Sequence, residues 1–143
     1  GGAARGVITP LLEQQPARLV LANRTLGKAQ GLAHNFGGSL EAATYAALAG
    51  GQFDLVINAT SASLTGALPP LPRGVFAQGA LAYDMMYGKG ETPFLAFARV
   101  EGAATLADGF GMLVEQAAES FFIWRGVRPH TAPALKLLRQ ATD

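Results

Sequence analysis

The chain contains no cysteine, which excludes a disulfide framework and any thiolate-held metal. Its two histidines, His34 and His130, lie far apart and lack ligand spacing, so no metal site is expected. Charge is also scarce. Charged residues make up 15% of the sequence and the formal net charge is +1, which gives neither nucleic acid nor an anionic membrane an electrostatic handle. The apolar runs are too short and interrupted to span a bilayer, and no signal peptide is visible, so a soluble, cytoplasmic protein is the expectation. Internal repeats, low-complexity tracts and a second domain are absent from the sequence.

Half of the 143 residues are apolar, enough for one domain with a real core. From Ala3 to Gln14, Val7, Ile8, Leu11 and Leu12 recur at helical spacing, and Pro16 blocks continuation. Leu19-Val20-Leu21 reads as a buried strand within 18–22. Thr25 caps a helix over Leu26–Phe36, which Gly37-Gly38 ends. A short edge strand over 39–43 and a short helix over 45–48 follow. Phe53–Asn58 is the clearest strand.

After a loop of small residues and prolines over 59–73, a strand is predicted over 80–85. Thr92-Pro93 opens a helix to Val100, with proline where its missing N–H costs nothing. A weak strand over 103–106, a long helix over 109–124 and a last helix over 132–140 complete the chain. Strands alternating with helices predict an α/β fold, a doubly wound Rossmann-type parallel sheet covered on both faces.

Three stretches carry chemistry. Gly1-Gly2-Ala3-Ala4 reads either as the second half of a G-x-G-x-x-A phosphate loop or as an ordinary helix opening. Asn23-Arg24-Thr25 ends the next strand, where an NAD site places a carboxylate on the ribose. Here Arg24 offers a planar cation, Asn23 and Thr25 add hydrogen-bonding groups, and Lys28 stands one turn on, an arrangement that favours NADP. A solvated arginine at a strand end is the plainer alternative. Asn58-Ala59-Thr60-Ser61 ends the best strand, where open α/β sheets bind ligands and where turns are also commonly polar.

In the long helix, Phe110, Leu113, Val114, Ala117, Phe121 and Trp124 share a stripe expected to pack on the sheet. Glu115, Glu119 and Arg125 oppose it. Gly109, Met112, Gln116 and Ser120 form the flank, where Gln116 either faces a cleft or is simply half-exposed.

These motifs, together with Tyr83-Asp84-Met85-Met86-Tyr87, Gly90-Glu91-Thr92-Pro93-Phe94-Leu95 and Asp108-Gly109-Phe110-Gly111-Met112 running on to Ala118, resemble the shikimate dehydrogenase family in order and spacing. The resemblance covers that family's carboxyl-terminal NADP-binding half and closing helices, so 1–143 is expected to be one such domain. It implies reversible, NADPH-dependent reduction of 3-dehydroshikimate to shikimate, in aromatic amino-acid biosynthesis. Gly1, Gly2 and Ala3 then match the diphosphate loop, and Asn23, Arg24, Thr25 and Lys28 the 2′-phosphate segment. Thr60 and Ser61 match strand-end cofactor contacts, and Met85, Gly109 and Met112 match positions around the nicotinamide. Tyr87 and Gln116 match substrate-reaching residues.

The Asn-Arg-Thr motif is similar to the NADP branch rather than to relatives that accept NAD and quinate. A quinate/shikimate relative and a non-catalytic nucleotide-binding module are the alternatives. A monomer or homodimer is expected. Two departures stand out: Ser63 where the family often has glycine, and Phe110 where it has leucine, with crowding of the nicotinamide side as the possible result.

The family's catalytic Lys and Asp belong to an amino-terminal substrate domain with no counterpart here, so no catalytic residue is assigned and these 143 residues are expected to be inactive alone. No strand precedes the phosphate loop in this sequence. The strands on either side of that position should therefore face each other across an unpaired gap, with buried donors and acceptors left unsatisfied.

Overall fold

The computed structural model describes residues 1–62 and 66–142; Ser63 lies outside them. Helix α1 (Gly2–Glu13) leads to strand β1 (Val20–Ala22), helix α2 (Leu26–His34) and strand β2 (Glu41–Ala43). A single 3-10 turn (Ala46–Leu48) precedes strand β3 (Phe53–Asn58) and the long strand β4 (Phe76–Asp84). Helix α3 (Pro93–Val100), strand β5 (Thr105–Ala107), and helices α4 (Phe110–Arg125) and α5 (Ala132–Thr142) follow.

Every described strand pair is parallel, with α2 crossing over between β1 and β2 and α3 between β4 and β5. The strands fall into two separate blocks. β1 pairs with β2, and β3, β4 and β5 pair in that order. Among the described residues β1 and β3 do not pair with each other, so the expected gap lies between them. Apart from Asn58, at the end of β3, their residues are not deeply buried. All three of β1 are half-buried, and Leu55 in β3 is 39% exposed.

β4 shows what a fully flanked strand looks like. Val75, Phe76, Ala80 and Ala82 pack against Phe94, Leu95 and Ala98 of α3 in the larger core, and Ala80, Ala82 and Phe94 are wholly buried. β4 begins four residues earlier than its sequence suggests, at Phe76 rather than Ala80. Phe53 aligns with Phe76 and Leu55 with Leu81, so five residues of β4 advance against two of β3. Gly79, at φ +82°, accommodates that bulge in a conformation open to glycine. The interrupted apolar pattern hid the first half of this strand.

The first block has a smaller core of Ile8, Leu32, Ala33 and Leu40, with Leu12, Leu19 and Leu21 against it. In α1, Ala4 and Ile8 are the buried residues, one turn apart on a single face, and Pro10 lies within the helix. Thr92 caps α3 as its sequence predicts, its hydroxyl accepting from the Leu95 N–H at 3.3 Å, with Pro93 beside it.

α4 departs from its predicted stripe. Phe110, Val114 and Ala118 are buried, but Phe121 is 45% and Trp124 77% exposed. The carboxyl half of α4 runs beyond the sheet, and Leu113, Ala117 and Phe121 turn toward α5 instead, lining a groove with Ala134 and Leu138. Gly126, at φ +69°, ends the helix. No helix among the described residues is long and apolar enough to cross a membrane.

Candidate functional site

The carboxyl ends of parallel strands and the first turn of the helices they feed converge at one edge of an open α/β sheet. Here they line a single cavity of about 600 Å³. Gly1, Gly2, Ala3 and Ala4 contribute the start of α1, Asn23 the end of β1, and Lys28 the first turn of α2. Thr60 and Ser61 follow β3, Met85 follows β4, and Met112 comes from the first turn of α4. Ten residues from five stretches of the chain thus line one cavity.

The start of α1 suits an anion. Gly1 is its N-cap and offers no side-chain acceptor, so no side chain caps the first backbone N–H groups. The first turn contains no acid, which leaves the positive end of the helix dipole uncompensated. Nothing lies within 4 Å of where a Cβ would stand on Gly1 or Gly2, so the protein itself does not crowd the approach.

At the end of β1 the Asn23 carboxamide is turned back, its Oδ1 accepting from the Thr25 N–H at 2.9 Å. That turn aims the chain into α2 and leaves Arg24 and Lys28 exposed beside the cavity. Arg24 and Thr25 are not among the cavity-lining residues. Thr25 is the N-cap of α2 by backbone geometry, without a side-chain hydrogen bond.

Tyr45, just after β2, lines the cavity. Burial pushes its phenol up, while the nearby Arg24 guanidinium pulls it down. Sequence reasoning passed Tyr45 over; its signal was an aromatic two residues beyond the carboxyl end of a strand.

A buried polar network fixes the other rim. Asp84 is fully buried at the end of β4. Its carboxylate accepts from Asn58 Nδ2 at 3.1 Å, the Met86 N–H at 3.0 Å and the Thr92 hydroxyl at 2.6 Å. Asn58 Oδ1 in turn accepts from the Thr60 N–H at 3.1 Å and the Thr60 hydroxyl at 2.7 Å. Asn58 and Asp84 are thus spent on holding β3, β4 and α3 in register, which sets Thr60 and Met85 at the cavity wall. An acid ending an apolar strand was the available signal for this role.

Gly109 is buried behind Met85. Its N–H donates to the Met86 carbonyl at 3.0 Å, and a Cβ there would overlap the Met85 carbonyl. Glycine lets the start of α4 close against the end of β4. Gly109 itself stands outside the cavity lining, as do Tyr87 and Gln116.

Tyr87 is 42% exposed, and its ring centroid stands 5.0 Å from that of Phe110. Phe110 therefore packs on Tyr87, and the Arg139 guanidinium lies 5.8 Å from its ring centroid. Phe110 does not line the cavity. Gln116 is exposed on α4, one turn beyond Met112.

An all-parallel sheet with one cavity at its carboxyl edge, walled by a glycine-rich helix start, defines a Rossmann-type α/β fold. Comparison with known proteins supplies the family. Residues 1–66 match the family described as shikimate/quinate 5-dehydrogenase, and residues 109–139 match the shikimate 5′-dehydrogenase C-terminal domain. The chain is a relative of the shikimate dehydrogenases and corresponds to a carboxyl-terminal portion of them.

A shikimate dehydrogenase (NADP(+)) of Nitrosospira multiformis is 65% identical over 99% of this chain and 52% of its own length. The crystal structure of an Ael1 enzyme from Pseudomonas putida superposes with a TM-score of 0.91 at 55% identity, covering 96% of this chain and 51% of that one. A shikimate 5-dehydrogenase of Thermus thermophilus, in complex with NADP(H) and shikimate, gives a TM-score of 0.74 at 29% identity, over 91% and 48% of the two chains. The chain spans about half the length of the curated relatives it matches.

Proposed function

We propose that residues 1–143 form the NADP-binding domain, with its closing carboxyl-terminal helices, of a shikimate dehydrogenase that reversibly reduces 3-dehydroshikimate to shikimate. The observation that carries this reading is the asymmetry of the cavity rim. An uncapped, acid-free helix start lies on one side; Lys28 lines the other, with Arg24 exposed next to the end of β1, where an NAD site would place a carboxylate. That donor set fits a dinucleotide with an extra phosphate.

In this reading the N–H groups at Gly1, Gly2 and Ala3 receive the diphosphate. Arg24 and Lys28 pair with the 2′-phosphate while Asn23 and Thr25 shape the turn that presents them. Thr60 and Ser61 bound the middle of the cleft. Met85 and Met112 form an apolar wall that excludes water beside the nicotinamide, and Gly109 sets that wall by letting α4 approach. NADPH supplies the hydride. Tyr87 and Gln116, exposed beyond this wall, are the residues placed to meet the substrate ring. Proton handling at the substrate hydroxyl falls to the amino-terminal portion of the family, and the reaction is cytoplasmic.

Calorimetry with NADP⁺ and NAD⁺ on this chain tests the reading. The expected result is tighter binding of NADP⁺, with the preference reduced about tenfold or more in Arg24→Ala, the size of one charge-assisted phosphate contact. Equal affinity for both nucleotides, unchanged in that variant, would remove the basis for the NADP assignment.

A further inference from the structure

The corner of the cavity beside Arg24 has an aromatic wall that phosphate recognition leaves without a role. Tyr45 and Leu48 line it from the turn after β2, next to Asn23 and Lys28. The Asn23 N–H donates to the Ala43 carbonyl at 3.1 Å, which ties the carboxyl ends of β1 and β2 together. Adjacent strands stand about 4.8 Å apart. Arg24, one residue past that bond, and Tyr45, two residues past it, therefore leave the sheet as neighbours.

The turn that carries Tyr45 is firmly held. The Thr44 hydroxyl accepts from the Ala47 N–H at 3.2 Å, and the Tyr45 carbonyl accepts from the Leu48 N–H at 3.1 Å. Leu48, 7% exposed, anchors the turn, while Tyr45 stays half-buried at the cavity wall. A ring fixed in this way gives up little freedom when a ligand lies against it. Burial raises the pKa of its phenol, against an opposing pull from the Arg24 guanidinium. The hydroxyl is thus uncharged at neutral pH and does not repel a phosphate close by.

We infer that Tyr45 is the base-stacking residue of the site, one face of its ring receiving the purine of the dinucleotide. This rests on the NADP reading above and assigns it a further residue. The purine and the 2′-phosphate hang from neighbouring carbons of one ribose, so the group that meets the base must stand beside those that meet the phosphate. Of the side chains lining that corner, Asn23, Lys28, Tyr45 and Leu48, it is Tyr45 that carries an aromatic face. The two neighbours divide the recognition. A π-face accepts the base with or without a 2′-phosphate, and so contributes affinity common to NADP⁺ and NAD⁺. The Arg24 guanidinium contributes the difference between them.

The test is calorimetry of NADP⁺, NAD⁺ and adenosine 2′,5′-bisphosphate with this chain, with Tyr45→Leu and with Tyr45→Phe. Leucine keeps an apolar side chain there and removes the π-face; phenylalanine keeps the ring and removes only the hydroxyl. Tyr45→Leu should weaken all three ligands about tenfold, the size of one base–aromatic stack, and leave the preference for NADP⁺ unchanged. Tyr45→Phe should bind all three as the unsubstituted chain does. In the bisphosphate complex, NMR should show cross-relaxation between the Tyr45 ring protons and the purine H2 or H8, a signal that a merely structural role would not produce. Unchanged affinity in Tyr45→Leu, a loss confined to NADP⁺, a loss in Tyr45→Phe equal to that in Tyr45→Leu, or no purine contact at the ring would each overturn the proposal. The NADP reading would survive any of these as long as Arg24→Ala still lowers the preference. Failure of the unsubstituted chain to bind the bisphosphate would overturn both.

Discussion

The two strand blocks obey the same local rules and reach different degrees of order. In the β3–β4–β5 block the middle strand is flanked on both edges and covered by α3, and it buries Phe76, Ala80, Ala82 and Asp84. In the β1–β2 block no strand has two neighbours, and each strand is three residues long. Its core rests on Ile8, Leu32, Ala33 and Leu40, supplied by helices and a loop. A two-stranded sheet is marginal by itself. The larger block is therefore the folding unit, and the smaller one presents the helix start and Arg24 from a less supported frame. The cavity draws on both, so the stability of the smaller block sets how well the site is preformed.

The sharpest way to break this contrast is Phe94→Ala. Phe94 is wholly buried against β4 and packs tilted against Phe76, with ring centroids 6.5 Å apart. Its loss should cost about 3–5 kcal/mol, and denaturant unfolding should show both blocks melting together. Ile8→Ala, which removes a 3%-exposed side chain from the smaller core, should cost about 2 kcal/mol. Hydrogen exchange should then accelerate in β1 and β2 while β4 keeps its protection. Acceleration of β4 to the same degree would show one cooperative unit instead of two.

Gly109→Ala tests the seam where α4 meets β4. The added methyl overlaps the Met85 carbonyl, so the helix start or the strand end must move, at about 1–3 kcal/mol. Intrinsic fluorescence should report displacement of Tyr87, which packs beside Gly109. Thr92→Ala removes both the α3 cap and a hydrogen bond to Asp84. It should cost about 1–2 kcal/mol, more than a cap alone, because the Asp84 carboxylate is buried.

The smallest effect is electrostatic. The Arg18 guanidinium hydrogen-bonds Glu41 at 2.8 Å and holds its carboxyl below the ordinary range. Arg99 does the same for Glu91 in the larger block. A carboxyl depressed in the folded state stabilises above its unfolded pKa, and that contribution disappears as pH falls through the folded value. Both pairs are exposed, so each effect is slight. Glu41→Gln should flatten the acid limb of β1–β2 protection, and Glu91→Gln that of β3–β5.

The sequence was legible wherever one local rule dominates. Thr92-Pro93 marked the start of α3, and the β-branched centre of Phe53–Asn58 marked β3. The candidate site was legible in part, because phosphate loops and strand ends follow known periods. Tyr45 escaped notice, since its place at the cavity depends on where the 3-10 turn after β2 swings it. Phe121 and Trp124 were misplaced because helical period identifies an apolar stripe but not how far the sheet beneath extends. The start of β4 was missed because Gly79 interrupts the apolar pattern at a bulge.

By itself, then, the sequence determined the alternation of elements, the parallel α/β class, the acid-free glycine start of α1 and the exposed cation at Arg24. These are short-range properties, set by backbone preference, periodicity and the charge of neighbouring side chains. Only the tertiary structure decided that Asn58 and Asp84 hold strands in register, that Gly109 is a point of close approach, and that Arg24 and Tyr87 stand outside the cavity wall. It also decided that, among the described residues, β1 and β3 do not pair and line one cleft. Those facts depend on which distant groups meet, and hydrogen-bond satisfaction and close packing are settled only when they do.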